Sequence, residues 1–359
     1  LKLVCWAALA SGPAALALWW VSALSPSAVE SVYSRVLYPT LAAPLSRLVG
    51  LIPPALSPWF LLALLVAAVA LFFGLPFVRA LSLLGAGASV LLAWFVLGWG
   101  LNYQRQSWAE NHGLEIRAST VEALASLAER VEQRVNALRA TLPQPSQPWS
   151  GTELGRAVNG AYQRAAASDP LLAGQWGPPK LFPFPHALSW LGISGIYLPF
   201  LTEPLVNPGP ADWQLPFTAA HEAAHLRGWA REDEANFLAF LVLQDDPDPL
   251  LAYSAWGSAL LYLASALESS PEGRRAWERL ASRLDPAVRS DWKTSFAYWE
   301  KYRGPARQAA EAVNDAYLKS QGQSDGVKSY GRMVELLLAW ETRSSPEQRS
   351  PGPPPPAPR

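Results

Sequence analysis

The sequence predicts a mainly α-helical chain, with three N-terminal transmembrane helices followed by a mostly helical domain organised around one metal-binding helix. Three observations carry this prediction. Leu3–Leu24, Trp59–Val78 and Ala80–Leu101 are uncharged apolar runs, each of about the 20 residues needed to cross a bilayer. His221-Glu222-Ala223-Ala224-His225 is an HExxH pentapeptide. Most of the sequence after Ser119 repeats its apolar residues at three- and four-residue steps, the helical period.

Composition agrees. Of 359 residues, 50% are hydrophobic and 16% charged, with a formal net charge of zero. So low a charged fraction points to membrane segments, and a neutral chain offers no electrostatic footprint for nucleic acid. The single cysteine, Cys5, lies in the first apolar run, so neither a disulfide nor a thiolate metal site is expected. The chain begins with Leu rather than Met, and a few preceding residues are expected.

Lys2 precedes the first run. Its apolar core exceeds that of a signal peptide and no small-x-small site follows, which makes it a retained anchor. Ser25–Pro58 is a Pro-rich connector carrying Glu30, Arg35 and Arg47. Its scattered Tyr33, Val36, Leu37, Leu48 and Ile52 suggest a segment lying on the membrane surface. Pro76 and Arg79 mark a tight hairpin between the second and third spans. Lys2 and Arg79 fall on one side of the membrane, and Arg35 and Arg47 on the other with the C-terminal region. With the N-terminus inside, that region is outside.

Ser119-Thr120-Val121-Glu122 reads as a capping box. It opens an amphipathic helix through Val121, Leu124, Leu127, Val131, Val135, Leu138 and Leu142. A shorter helix is expected over Thr152–Ala167, then a Pro- and Gly-rich stretch over Asp169–Pro185. Leu188–Leu201, broken by Gly192 and Gly195, is the best strand candidate. Leu250–Leu267 is uncharged, yet Ser254, Gly257, Ser258 and Ser265 dilute it and Asp245, Asp246 and Asp248 precede it. It is expected to be a buried helix covering the metal-binding helix, not a fourth span. Helical pattern continues over Arg274–Leu284, Ala287–Lys301, Ala306–Lys319 and Val327–Trp340. The domains are therefore 1–102 (membrane), 103–343 (catalytic) and 344–359, a Pro-rich disordered tail.

The motif carries the chemistry. On a helix, residues i and i+4 share a face, so His221 and His225 present two imidazoles together, as a zinc site needs. Only four histidines occur in the chain. Leu215-Pro216-Phe217-Thr218 opens the helix with Pro in its first turn. Two buried imidazoles without partners would be costly, which favours a metal over a satisfied core pair. The longer pattern HExxHxxGxxH fails, because Gly228 fits but Arg231 stands where a third His belongs. No histidine follows His225, so the third ligand is expected to be a carboxylate, from Glu232, Asp233 or Glu234. An unbroken helix would carry Glu234 roughly 13 Å away along the axis. Gly228 is the natural stop, and a second helix over Arg231–Leu243 would return its first turn to the metal. Glu234 is the expected ligand and Glu232 the alternative; an acidic cluster also suits a helix N-terminus with no metal at all.

The motif followed by Glu232-Asp233-Glu234-Ala235-Asn236-Phe237 resembles a bacterial family of zincin-like membrane proteins defined as a domain of unknown function. The Glu-Ala-x-Phe run is similar to the glutamate helix of the gluzincins, metallopeptidases whose third ligand is Glu. Trp99-Gly100-Leu101-Asn102-Tyr103, Gly192–Phe200, Val313–Leu318 and Ser329-Tyr330-Gly331-Arg332-Met333 resemble the same bacterial family. The resemblance covers nearly the whole chain except the tail. It implies a zincin-like domain with a small β-sheet and a bound Zn2+, and it implies no substrate. In zincins an edge strand borders the cleft and pairs with an extended substrate, and the resemblance assigns that place to 188–201.

The expected function is a membrane-anchored zinc metallopeptidase of the bacterial cell membrane, its catalytic domain extracytoplasmic and its substrate a peptide or protein. Zinc on His221, His225 and Glu234 would leave a position for a water of lowered pKa, with Glu222 as general base. A second electrophile for the oxyanion is expected at Tyr330 or Arg332, although a core tyrosine explains Tyr330 as well. His112 and His186 receive no role. An intramembrane protease is disfavoured by the charges of Arg227, Arg231, Glu232, Asp233 and Glu234 around the motif. The remaining alternative is a non-catalytic zinc-binding membrane module for partner binding or assembly. No feature sets an oligomeric state.

Overall fold

The apolar runs become long helices with their side chains facing outward. The computed structural model describes residues 2–142, 148–321 and 332–344. It is mainly helical with one small sheet. Helix α1 (Lys2–Ser22) is followed by the short α2 (Pro26–Ala28), a π-helical stretch (Val29–Leu37) and α3 (Tyr38–Gly50). Then come α4 (Ser57–Gly74) and α5 (Phe77–Gly98), joined through Leu75 and Pro76. Leu9 approaches Gly85, and Gly12 N donates to Ser89 Oγ at 2.8 Å, so α1 and α5 run parallel. A Cβ on Gly12 would meet Ser89 Oγ at 2.8 Å and its carbonyl oxygen at 2.9 Å. Glycine is what lets these two helices touch, as small residues do between apolar helices.

The connector is helical, with Val36, Leu37, Leu48 and Ile52 exposed. One face of α2–α3 is buried, through Val29, Glu30, Tyr33, Ser34, Tyr38, Ala42, Ser46 and Val49. Its prolines hide the helix in the sequence, but Pro26 and Pro39 lie in first turns, where no backbone N–H is needed.

A 3-10 turn (Gly100–Gln104) leads to α6 (Trp108–His112) and α7 (Val121–Thr141). The α7 cap falls one residue later than predicted: Thr120 Oγ accepts from Ala123 N at 3.2 Å. Helix α8 (Gly151–Ala165) carries the complete capping box, Ser150 with Glu153. The expected strand over Leu188–Leu201 is two elements. Helix α9 (Pro185–Trp190) ends at a left-handed Gly192 (φ 73°) and only Gly195–Leu198 is extended. That strand, β2, pairs antiparallel with β3 (Glu203–Val206), which pairs parallel with β1 (Lys180–Leu181). The order β1-β3-β2 leaves β2 on an edge.

The rest is helical: α10 (Leu215–Leu226), α11 (Glu232–Leu243), α12 (Pro249–Glu268), α13 (Pro271–Arg283), α14 (Pro286–Glu300), α15 (Pro305–Ser320) and α16 (Met333–Ser344). Helices α10 and α11 occupy the centre and are buried almost throughout. Among the described residues, four helices, α1, α4, α5 and α12, are long and apolar enough to cross a membrane. They divide cleanly: 67% of the apolar window of α12 is buried, against 11%, 6% and 22% for α1, α4 and α5. Leu251, Leu260, Leu263 and Leu267 of α12 are at most 1% exposed, each contributing about 1.5–3 kcal/mol by burial. It is a core helix, as its diluting serines and glycines suggest. Tyr330 and residues 345–359 lie outside the described residues.

Candidate metal centre

Helix α10 is held at both ends by partners distant in sequence. Pro216 occupies its first turn, and Phe217 N donates to Ser254 Oγ of α12 at 2.9 Å. At the other end Gly228 adopts φ 84°, the left-handed region that glycine enters without strain. A side chain there would also meet Asn102 Oδ1 at 3.0 Å and Tyr38 Cε1 at 3.1 Å. The turn is pinned from below. Tyr38 Oη donates to Leu226 O at 2.8 Å, and Trp99 Nε1 donates to His225 O at 3.0 Å. Arg105 donates to Gly228 O at 3.0 Å, stacks 3.6 Å above the Trp229 ring and makes two 2.8 Å contacts to Glu30. The chain then re-enters a helix at Glu232, the first residue of α11.

The structure brings His221, His225 and Glu232 together. The two Nε2 atoms are 3.0 Å apart, and Glu232 Oε2 lies 3.1 Å from His221 Nε2 and 3.5 Å from His225 Nε2. All three side chains are buried, and their ligand atoms lie within 4.8 Å of one another. It is Glu232, the alternative, that stands beside the histidines, and not the favoured Glu234. Two helical residues are about 200° of rotation, so with Glu232 facing the histidines, Glu234 faces away. There its Oε1 accepts from Trp108 N at 2.6 Å. Arg332 also stands elsewhere, 3.6 Å from Asp233, and does not line the cleft.

The donor set fits a zinc ion. At ~2.0–2.1 Å per bond, two nitrogens of a tetrahedral site stand about 3.3 Å apart, close to the 3.0 Å observed. His225 Nδ1 is 2.8 Å from Trp229 O, a contact that fixes the tautomer and leaves Nε2 its lone pair. Nδ1 of His221 is buried with no hydrogen-bond partner among the described residues.

The charges are consistent with a cation site. Burial pushes the Glu222 carboxyl up to about 7; the adjacent histidines oppose the rise and Glu232 adds to it. Burial acts upward on Glu232 too, but the charge of His225 and the hydrogen bonds from both histidines outweigh it and hold this carboxyl far below its ordinary value. Burial would lower His225, yet Glu232 and Glu222 raise it to about 9. These directions favour a protonated His225 beside an ionised Glu232, a proton that a cation bound there would replace. Glu234 is raised to about 7 by burial and by the neighbouring Asp233.

A cleft of about 1600 Å³ opens over this group. β2 forms one wall, α12 contributes Leu261 and Tyr262, and α5 with its following turn contributes Phe95, Trp99 and Tyr103. Gly195 of β2 packs onto the motif itself: a Cβ there would meet Glu222 Oε1 at 2.5 Å, Thr218 Cγ2 at 2.7 Å and Glu222 Cγ at 2.8 Å. His112 bonds Asp169 (2.7 Å) and stacks on Trp108, and His186 bonds Tyr302 (2.6 Å). Sequence reasoning missed the supports Glu30, Tyr38, Trp99 and Arg105. A lone carboxylate in the apolar connector was the one available signal, and its partner is 75 residues away.

No curated protein and no solved structure matches the chain. Residues 33–338 match the family described as "Protein of unknown function (DUF3810)", a span that includes most of the connector, the cleft and the whole His–His–Glu group. By that match the chain belongs to the DUF3810 family.

Proposed function

We propose that the protein is a membrane-anchored, zinc-dependent peptidase of zincin type, with His221, His225 and Glu232 as ligands and Glu222 as general base. The observation that carries the reading is the buried His–His–Glu group with Glu222 beside it and an edge strand along the same cleft. When bound there, zinc would supply Lewis-acid polarisation of a carbonyl and a lowered pKa for water. The residues of the chain account for the rest. Glu222, with its carboxyl raised toward 7, suits a base that accepts a proton from water and returns it to the leaving amine. The free edge of β2 offers main-chain hydrogen bonds to an extended polypeptide. Tyr262 lines the cleft, and burial first and the charge of Glu232 second raise its hydroxyl and keep it protonated. We assign it the oxyanion-facing donor, the role expected of Tyr330. Helices α1, α4 and α5 would serve as the anchor in a bacterial cell membrane, with the cleft on the outer side.

The test is metal analysis by atomic spectroscopy on detergent-solubilised protein, paired with a peptide-library assay. The expected result is close to one zinc per chain in wild type and in Glu222→Gln, with hydrolysis only in wild type. Failure to hold zinc after reconstitution refutes the reading. Zinc retained without hydrolysis in wild type leaves a structural metal module instead.

A further inference from the structure

We infer that the substrate of this cleft is an extended, apolar segment of another integral membrane polypeptide, at the point where it leaves the bilayer. The inference rests on the peptidase reading above and adds the class of chain that is cut.

Four observations set the cleft at the membrane border. Helix α5 has 22 residues, about 33 Å of helix against a hydrocarbon core of ~30 Å, so Trp99 falls at the interface where tryptophans collect. Trp99 is one side chain from the metal group: its indole donates to His225 O at 3.0 Å, and the two ring centroids are 6.2 Å apart. The cleft wall continues from Trp99 back to Phe95, one turn into α5. The sheet is fastened to the start of α4, at the same end of the hairpin. Glu203 of β3 accepts from Leu56 N (2.9 Å) and Ser57 N (2.5 Å), and Phe200 packs 6.2 Å from Phe60.

The strand edge, the metal group and the ends of two membrane helices therefore lie at one level. Beside β2, Leu191 lines the cleft and is 40% exposed, and the 46% exposed Phe184 packs against Trp59 of α4 at 5.4 Å. A compact water-soluble domain cannot feed its backbone into a cleft bordered by the headgroup layer. A chain leaving the bilayer in extended form reaches it at once, since 6.2 Å is about two residues at ~3.3 Å each. The apolar wall formed by Phe217, Leu261 and Tyr262 suits large apolar side chains flanking the cut. The reaction is hydrolysis: the peptide C–N bond breaks, and water supplies the hydroxyl of the new carboxyl and the proton of the new amine.

The experiment maps new N-termini in membranes of cells making the full-length protein or its Glu222→Gln variant, with zinc content measured on both. The expected result is a set of Glu222-dependent termini in integral membrane proteins, within about eight residues of the end of a span. Glu222-dependent termini spread through soluble proteins or distant domains overturn this inference while leaving the peptidase reading intact. Zinc-loaded protein that generates no Glu222-dependent termini overturns both.

Discussion

Substituting Gly195 by Ala is a one-methyl probe of whether β2 positions the carboxylate of Glu222, the proposed base. The backbone at 195 is not in the left-handed region, where the only described non-glycine residue is Thr202, so alanine adopts it without strain. All of the cost comes from space. The new Cβ would stand 2.5 Å from Glu222 Oε1 and 2.8 Å from Glu222 Cγ, where unstrained contacts are about 3.5–4.0 Å. Strand or carboxylate must therefore retreat by about 1 Å. Overpacking of this kind costs about 1–3 kcal/mol of stability, and a 1 Å displacement of a catalytic group costs about 10²-fold in rate. The three atoms nearest the new methyl belong to Glu222 and Thr218, not to the proposed ligands. The expected outcome is kcat/KM reduced about 100-fold on a library-derived fluorogenic peptide, zinc content unchanged and Tm lowered by several degrees. Wild-type kcat/KM in Gly195→Ala would refute the idea that the strand sets the position of Glu222. Loss of zinc would show that β2 supports the ligands instead.

Two further predictions follow from the same buried charges. Glu232→Gln should abolish stoichiometric zinc while Glu234→Gln retains it, read by atomic spectroscopy after dialysis against a weak chelator. Glu234→Gln should also change the pH dependence of stability. A carboxyl raised to about 7 in the fold binds its proton more tightly there than in the unfolded chain. Wild type is therefore penalised progressively as pH rises from about 4.5 to 7, by at most about 3 kcal/mol. The difference between variant and wild type in urea melts of metal-free protein should move in the variant's favour across that window; a flat difference rules the burial argument out. Separately, Glu30→Ala strands Arg105 as an unpaired buried charge and should cost about 3–5 kcal/mol, with weaker zinc retention because Arg105 also holds Gly228 O. Wild-type stability in that variant would mean the pair is solvated in solution.

The helix that bears the motif and the long apolar helices are legible in the sequence because both are local signals, one of spacing and one of length. The third ligand is a question of helical phase. Glu232 and Glu234 are separated by two residues and by about 200°, and the turn that chooses between them is set by Tyr38, Asn102 and Arg105, none of them nearby in sequence. β3 escapes notice because Glu203-Pro204-Leu205-Val206 is buried on every residue and so shows no alternation. β2 is four residues long, and the run that suggested it is mostly helix and turn. The connector reads as coil because of its prolines, whereas the fold sets Pro26 and Pro39 in first turns and carries Pro44 within α3.

The hydrogen bond from Tyr38 to Leu226 joins residues 188 apart, and this separation has a consequence for biosynthesis. During translation the connector emerges long before the segment it must support, and Glu30 has to wait for Arg105 and then for the turn at Gly228. While only the first half exists the residues of the centre are not yet made, and a C-terminal fragment released from the first hundred residues would lack the bonds from Tyr38 and Trp99 that hold the turn. In the proposed enzyme, hydrolytic competence would arise late, after the apolar helices and the connector have docked, so a partly made or mis-inserted chain would be inert toward its neighbours.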